Sequence, residues 1–223
     1  MIIELPKKKF VYKNKDGRVE AYIDKDRVLK MKNDVSFKKL MKDIAYAIND
    51  KKICYYCGRK LKENEATPDH KIPQDIGGPT IPNNLCTACS KCNSEKSNLL
   101  LNQYLVYRLI KDEKEKKCYR DVCLKRNEDF KRLKHEWLLP GMITYMKSED
   151  IKLSKIQSES NEYHYKKFRE IDRFYKKYSR LKKAIIVDKN LRLLGGFITL
   201  MYCKENGIEI VPVIILENVE IID

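Results

Sequence analysis

The sequence lacks any apolar run near the roughly 18 to 20 residues that cross a bilayer, and its start, MIIELPKKKF, has no hydrophobic stretch ahead of the lysines. A membrane partner and a secretory route are therefore not expected, and the chain reads as soluble and cytoplasmic. Acidic residues are in deficit, with 32 Asp and Glu against 47 Lys and Arg and a formal net charge of +15. That imbalance points to a polyanionic partner, with nucleic acid ahead of an anionic membrane surface. Histidine is scarce, only 3 in 223 residues. No internal repeat or low-complexity tract is present. A 43% hydrophobic content that includes 6 Phe and 14 Tyr argues against a wholly disordered chain.

Cysteine is the residue in surplus. Of 8 in the chain, Cys54, Cys57, Cys86, Cys89 and Cys92 crowd together at CxxC spacing, which indicates a metal site in a reducing compartment rather than a disulfide framework. Cys118, Cys123 and Cys203 stand at no ligand spacing and read as ordinary thiols.

The rest of the chain divides by pattern. Residues 9 to 23 predict a hairpin turning at Asp16-Gly17. A helix is expected from Ser36, its N-cap, with Phe37, Leu40, Met41, Ile44 and Ala45 on one face. The segment 53 to 98 concentrates turn residues and is expected to be a loop-dominated insert. From Leu99 to Arg180 the pattern is helical and highly charged, broken near Pro140-Gly141, with Tyr163, Phe168, Ile171, Phe174, Tyr175 and Tyr178 as a buried stripe. His135 and His164 fall in this half and read as surface or packing residues. Lys and Arg clusters (Lys114 to Lys117, Lys166-Lys167, Lys176-Lys177, Lys182-Lys183) mostly predict solvated faces, one of which the charge surplus marks as a phosphate track.

Cys54-Tyr-Tyr-Cys57 and a second CxxC can close two knuckles around a tetrahedral zinc ion. Such a site is structural, because a segment rich in Gly, Pro and polar residues buries too little apolar surface to fold without metal-binding free energy. Cys86-Thr-Ala-Cys89 and Cys89-Ser-Lys-Cys92 both have the spacing, so the second pair stays open on spacing alone. Between the knuckles lie Pro68-Asp69-His70-Lys71-Ile72-Pro73, Gly77-Gly78 and Asn83-Asn84-Leu85, and after Cys92 come Asn93 and Lys96. Phosphodiester hydrolysis needs an activated water and a cation for the charge that gathers on the phosphate. His70 can be the base, with Asp69 and Asn93 as hard oxygen ligands for Mg²⁺ or Mn²⁺.

Residues 54 to 98 resemble an HNH endonuclease of the ββα-metal family, on the full pattern of CxxC, Asp-His, Ile-Pro, Gly-Gly, Asn-Leu, CxxC-Asn and a following Lys. The resemblance implies that His70 is the general base, that Asp69 and Asn93 hold one catalytic divalent ion, and that Asn84 fixes the loop orienting His70. The family sets its second CxxC directly before the last metal ligand, which implies Cys89 and Cys92 as the zinc pair and Cys86 as a bystander. Lys96 then falls one turn into a helix, where it could approach the scissile phosphate.

The stretch from AIIVD (184 to 188) through Gly195-Gly196 to EIVPVIIL (209 to 216) predicts a βαβ unit, with Pro212 suggesting an edge or a bulge. It resembles the second half of a ParB/sulfiredoxin-like domain. Gly195-Gly196-Phe197-Ile198-Thr199 lacks the catalytic Cys and the Arg of that family's motif, so the resemblance implies a packing or DNA-contacting scaffold and no nucleotide site. Some forty residues are too few to fold alone, so the unit is expected to pack on the preceding helices or the N-terminal hairpin.

The expected architecture is α+β. It comprises an N-terminal hairpin and helix (1–50), an HNH nuclease core with its zinc site (51–102), a charged helical region (103–180) and a ParB-like βαβ segment (181–223). The expected function is a metal-dependent endonuclease hydrolysing DNA, most simply double-stranded. The alternatives are a zinc-ribbon nucleic-acid-binding protein without catalysis and an RNA-cleaving toxin nuclease.

Overall fold

A computed structural model describes residues 1–49, 53–62, 64–153 and 165–222, without the side chains of 137 and 138. Tyr163 and His164 lie outside these residues. The chain forms two compact units, Met1–Leu40 with Lys134–Asp223, and Met41–Leu133. The fold is α+β.

Strands β1 (Val11–Lys13) and β2 (Val19–Ile23) form the expected hairpin. Its turn is held by Asn14, whose Oδ1 accepts from the Asp16 and Arg18 amides at 3.0 and 2.9 Å, and Gly17 adopts φ +78°. β3 (Leu29–Lys32) pairs antiparallel with β2. Helix α1 (Phe37–Ile48) follows Ser36, and Phe37, Leu40, Met41, Ile44 and Ala45 are all buried, as helical spacing requires of one face.

The second unit is built on β4 (Ala66–His70) and β5 (Leu85–Cys89), antiparallel with Asp69 opposite Cys86 and His70 opposite Leu85. α2 (Ser90–Lys96) starts directly after β5. α3 (Leu101–Leu109) and α4 (Glu113–Phe130) then pack as a helical hairpin. Asp112 caps α4 by accepting from the Lys114 and Glu115 amides, both at 2.9 Å. The two helices are joined by a buried amide pair, Gln103 with Asn127, each donating to the other at 2.8 Å. The core beneath holds Cys54, Tyr56, Leu61, Ala88, Leu99 and Tyr104.

Returning to the first unit, the short α5 (His135–Leu138) precedes β6 (Thr144–Lys147), a strand inside the region expected to be helical. Its residues are recruited by an antiparallel ladder with a distant partner, which local periodicity does not reveal. α6 (Tyr165–Tyr178), β7 (Ile185–Asp188), β8 (Leu193–Gly195), α7 (Phe197–Glu205), β9 (Ile210–Leu216) and β10 (Val219–Ile222) complete the chain. β7 and β9 are parallel with α7 between them, the βαβ unit read from the sequence, in a sheet of order β6-β9-β7-β8. Pro212 is therefore on an interior strand, not an edge. It faces Tyr145 of β6, one residue before the β7–β9 ladder begins at Val213, so no β7 partner is opposite its missing N–H.

β10 runs parallel to β3 and completes the sheet β1-β2-β3-β10, which ties the C-terminal segment to the hairpin. Asp188, fully buried at the end of β7, joins the sheets by accepting from the Asn190, Arg192 and Ile221 amides at 2.8, 2.9 and 3.1 Å. α6 packs on α7, with Phe168 and Tyr175 edge-on to Tyr202. Among the described residues no helix is long and apolar enough to cross a membrane.

Candidate metal and nuclease site

The knuckle Cys54–Cys57 turns back on itself, with the Gly58 amide donating to the Cys54 carbonyl at 2.9 Å and the Cys54 amide to the Arg59 carbonyl at 2.9 Å. The Tyr55 amide donates to the Thr87 carbonyl at 2.8 Å, which docks this knuckle on β5. The second knuckle is the junction of β5 and α2. Cys89 serves as the N-cap of that helix, its sulfur accepting from the Cys92 amide at 3.4 Å, while the Cys89 amide donates to the Cys54 sulfur at 3.4 Å. The sulfurs of Cys54, Cys57, Cys89 and Cys92 all lie within 4.8 Å of one another.

Tetrahedral zinc–thiolate bonds of about 2.3 Å separate the sulfurs by roughly 3.8 Å, so the four thiols fit such an ion with little movement. Burial opposes ionisation of Cys89, but donors from Cys92, Cys54 and Arg59 outweigh it and bring the thiol down to about 7. Cys86 is not in the group. It lies opposite Asp69 on the ladder, its thiol pointing to the Tyr56 hydroxyl at 3.4 Å, and burial pushes it up to about 11. Of the remaining cysteines, Cys123 and Cys203 are buried in the two cores and Cys118 is exposed.

His70 ends β4 and is half-buried. Its Nε2 lies 2.9 Å from both the Thr80 hydroxyl and the Gln74 amide nitrogen, and Gln74 in turn donates to Thr80 at 2.8 Å. The loop after His70 is clamped by Asn84. Its Oδ1 accepts from the Ile72 amide at 2.9 Å, and its amide nitrogen donates to the Ile72 and Pro79 carbonyls at 3.1 and 2.9 Å. The paired glycines fit the same loop, because a Cβ on Gly78 would meet the Ile72 carbonyl oxygen at 1.9 Å. No side chain can occupy that space.

On the other face of β4, Thr67 and Asp69 point toward α2. Asn93 donates from its amide nitrogen to the Thr67 hydroxyl at 3.1 Å. Lys96, one turn later, is fully buried, its ammonium 3.1 Å from Asp69 Oδ2 and 2.7 Å from the His70 carbonyl. The expected approach of Lys96 to a scissile phosphate is thus replaced by an internal role. Its three N–H groups face Asp69 Oδ2, Asp69 Oδ1 at 3.4 Å and the His70 carbonyl, so a contact to substrate would have to break one of these.

Asp69 also accepts from the Tyr56 hydroxyl. Tyr56 is buried, and burial together with the Cys86 and Asp69 charges pushes its hydroxyl far above the ordinary tyrosine range, so it stays a donor. Arg108 donates to the Tyr56 carbonyl, and the Tyr56 ring packs edge-on to Tyr104 at 5.0 Å. Spacing could not reveal Tyr56, since its partner is on a strand brought close only by folding. Gln74 was signalled faintly by standing four residues after His70, and Thr80 not at all.

The two cysteine knuckles, the antiparallel strand pair and the helix, with Asp-His at the end of the first strand, all lie within residues 54–104. Residues 54–104 fit the family model for HNH endonuclease. The HNH segment suggests nuclease activity, and its cysteine group could bind a metal such as zinc. A solved structure of a Pnob8-like ParB-N domain is also similar, with 18% identity and a TM-score of 0.27 over 33% of this chain and 28% of that one. No curated protein matches the chain.

Proposed function

We propose that the HNH segment is a metal-dependent endonuclease that hydrolyses phosphodiester bonds in double-stranded DNA. The reading rests on one observation above the others. His70 sits at the end of β4, its imidazole oriented by Gln74 and Thr80 and its following loop clamped by Asn84, within the segment that fits the HNH family. In this reading the His70 imidazole takes a proton from water, the water oxygen bonds to phosphorus, and the 3′ oxygen leaves and takes up a proton from solvent. Asn84 is a positioning residue that keeps the loop after His70 in place.

Asp69 and Asn93 would hold Mg²⁺ or Mn²⁺, which when bound neutralises charge on the phosphate and the leaving oxygen. By type the donors, one carboxylate and one amide oxygen, would suit such an ion. Lys96 and Tyr56 hold the Asp69 carboxylate from the protein side. Zinc at Cys54, Cys57, Cys89 and Cys92 would be structural, joining the start of the segment to the β5–α2 junction.

Plasmid nicking tests the reading. Cleavage by the wild-type chain should require added Mg²⁺ or Mn²⁺, and His70→Ala should abolish it while zinc content and DNA affinity stay near wild type, since a base acts on the transition state and adds little to ground-state binding. Full activity of His70→Ala, or plasmid left intact by the wild-type chain with either metal, rejects it.

A further inference from the structure

The two faces of α6 are chemically opposite. Phe168, Ile171 and Tyr175 pack against the core beneath α7 and the βαβ unit, and Asp172 is held at this side by the Tyr202 hydroxyl at 3.3 Å. Lys166, Arg169, Arg173, Lys176 and Lys177 follow the spacing of the opposite face and are all exposed. Arg169 is fixed there by Tyr165, with its guanidinium 4.2 Å from the ring centroid and a hydrogen bond of 3.0 Å to the hydroxyl. Lys176 is paired with Asp172 at 2.8 Å, yet remains 75% exposed. Glu170 is the one other acid on the helix, so basic charge dominates this face.

We propose that the exposed face of α6 is a docking surface for the phosphodiester backbone of duplex DNA, outside the HNH segment. The proposal rests on the reading of the chain as acting on nucleic acid. From Lys166 to Lys177 the helix rises about 16 Å, a length over which a duplex carries roughly nine phosphate charges. A row of long, exposed cations matches such a target by charge alone and carries no base specificity, so it would position the duplex without choosing its sequence. An anionic membrane is the weaker partner, because an amphipathic helix binds bilayers by inserting its apolar face, and here that face is committed to the core.

Affinity of the full chain for a blunt duplex of about 20 base pairs, measured without Mg²⁺ between roughly 0.05 and 0.2 M salt, tests the proposal. The variant Lys166→Gln/Arg173→Gln/Lys177→Gln should bind roughly 100-fold more weakly near 0.1 M salt and flatten the slope of log affinity against log salt by about 2.7. Each single change should flatten it by about 0.9. Lys167→Gln, on the same helix but in line with Ile171 and Phe174, should leave the slope at the wild-type value. An unaltered slope in the triple variant overturns the proposal, as does loss of binding to phosphatidylserine vesicles with none to DNA. Binding and nicking separate the two readings. A wild-type chain that nicks plasmid while the triple variant keeps its slope defeats only the docking surface, and a chain that never nicks but loses its slope in the variant defeats only the nuclease.

Discussion

Lys96 and Asp69 form an ion pair of 3.1 Å with side-chain exposures of 0% and 8%, linking the helix of the HNH segment to its first strand. Two unlike charges taken this far out of water stabilise a fold only if both stay paired. Lys96→Met leaves the Asp69 carboxylate buried with one donor, Tyr56, and should lower stability by about 3–5 kcal/mol. Urea unfolding monitored by circular dichroism measures the loss. The double variant Asp69→Leu/Lys96→Met should recover a large part of it, because no unpaired charge remains.

Tyr56 connects the first cysteine knuckle to Asp69 without being a metal ligand itself. Tyr56→Phe removes only the hydroxyl that donates to the carboxylate. It should leave zinc content unchanged and raise the Mg²⁺ concentration for half-maximal cleavage by about tenfold or more, as loss of a group supporting a metal ligand does. Titration of Mn²⁺ binding by calorimetry gives the same shift independently of turnover. An unchanged midpoint in both would mean that Lys96 alone fixes the carboxylate.

The sulfur geometry separates Cys86 from its neighbours. Serine in place of Cys54, Cys57, Cys89 or Cys92 should abolish zinc binding and unfold the HNH segment, whereas Cys86→Ser should keep both. Elemental analysis of the purified variants, with thermal unfolding before and after a chelator, distinguishes these outcomes.

His135 gives the other unit a pH dependence. Burial, reinforced by the nearby Arg180 cation, brings its imidazole from an ordinary value of 6.5 down to about 4, and Leu181 accepts from its Nε2 at 2.9 Å. As the pH falls below about 6.5 the unfolded chain takes up a proton that the folded chain refuses until about 4. The stability present above the first value is lost progressively toward the second, by about 3 kcal/mol. His135→Gln should remove that share of the acid sensitivity, visible as a flatter dependence of unfolding free energy on pH between those limits.

Much of this protein was legible in its residues because the signals were local. CxxC spacing, Asp-His ahead of Gly-Gly, and Asn after the second knuckle lie within a short span, and their chemistry restricts what they can do wherever the chain goes. Period-3.6 spacing placed the buried face of α1 and the half-buried stripe Phe168, Ile171 and Tyr175 of α6, and the apolar runs flanking Gly195-Gly196 placed β7 and β9, because backbone geometry converts spacing directly into a shared face.

Long-range pairing was decided only in three dimensions. β6 is a short, mostly exposed strand that exists because β9 offers it a ladder, and Pro212 is tolerated on an interior strand because the β7 ladder starts one residue later. β10 closes the N-terminal sheet from the far end of the chain. In the HNH segment the sequence named Asp69 and Lys96 without showing that they neutralise each other, or that Tyr56 reaches across to the same carboxylate. Composition and spacing determine which charges and donors a chain possesses. Which of them meet out of water, where pairing is enforced by the cost of leaving a charge alone, is determined by tertiary packing.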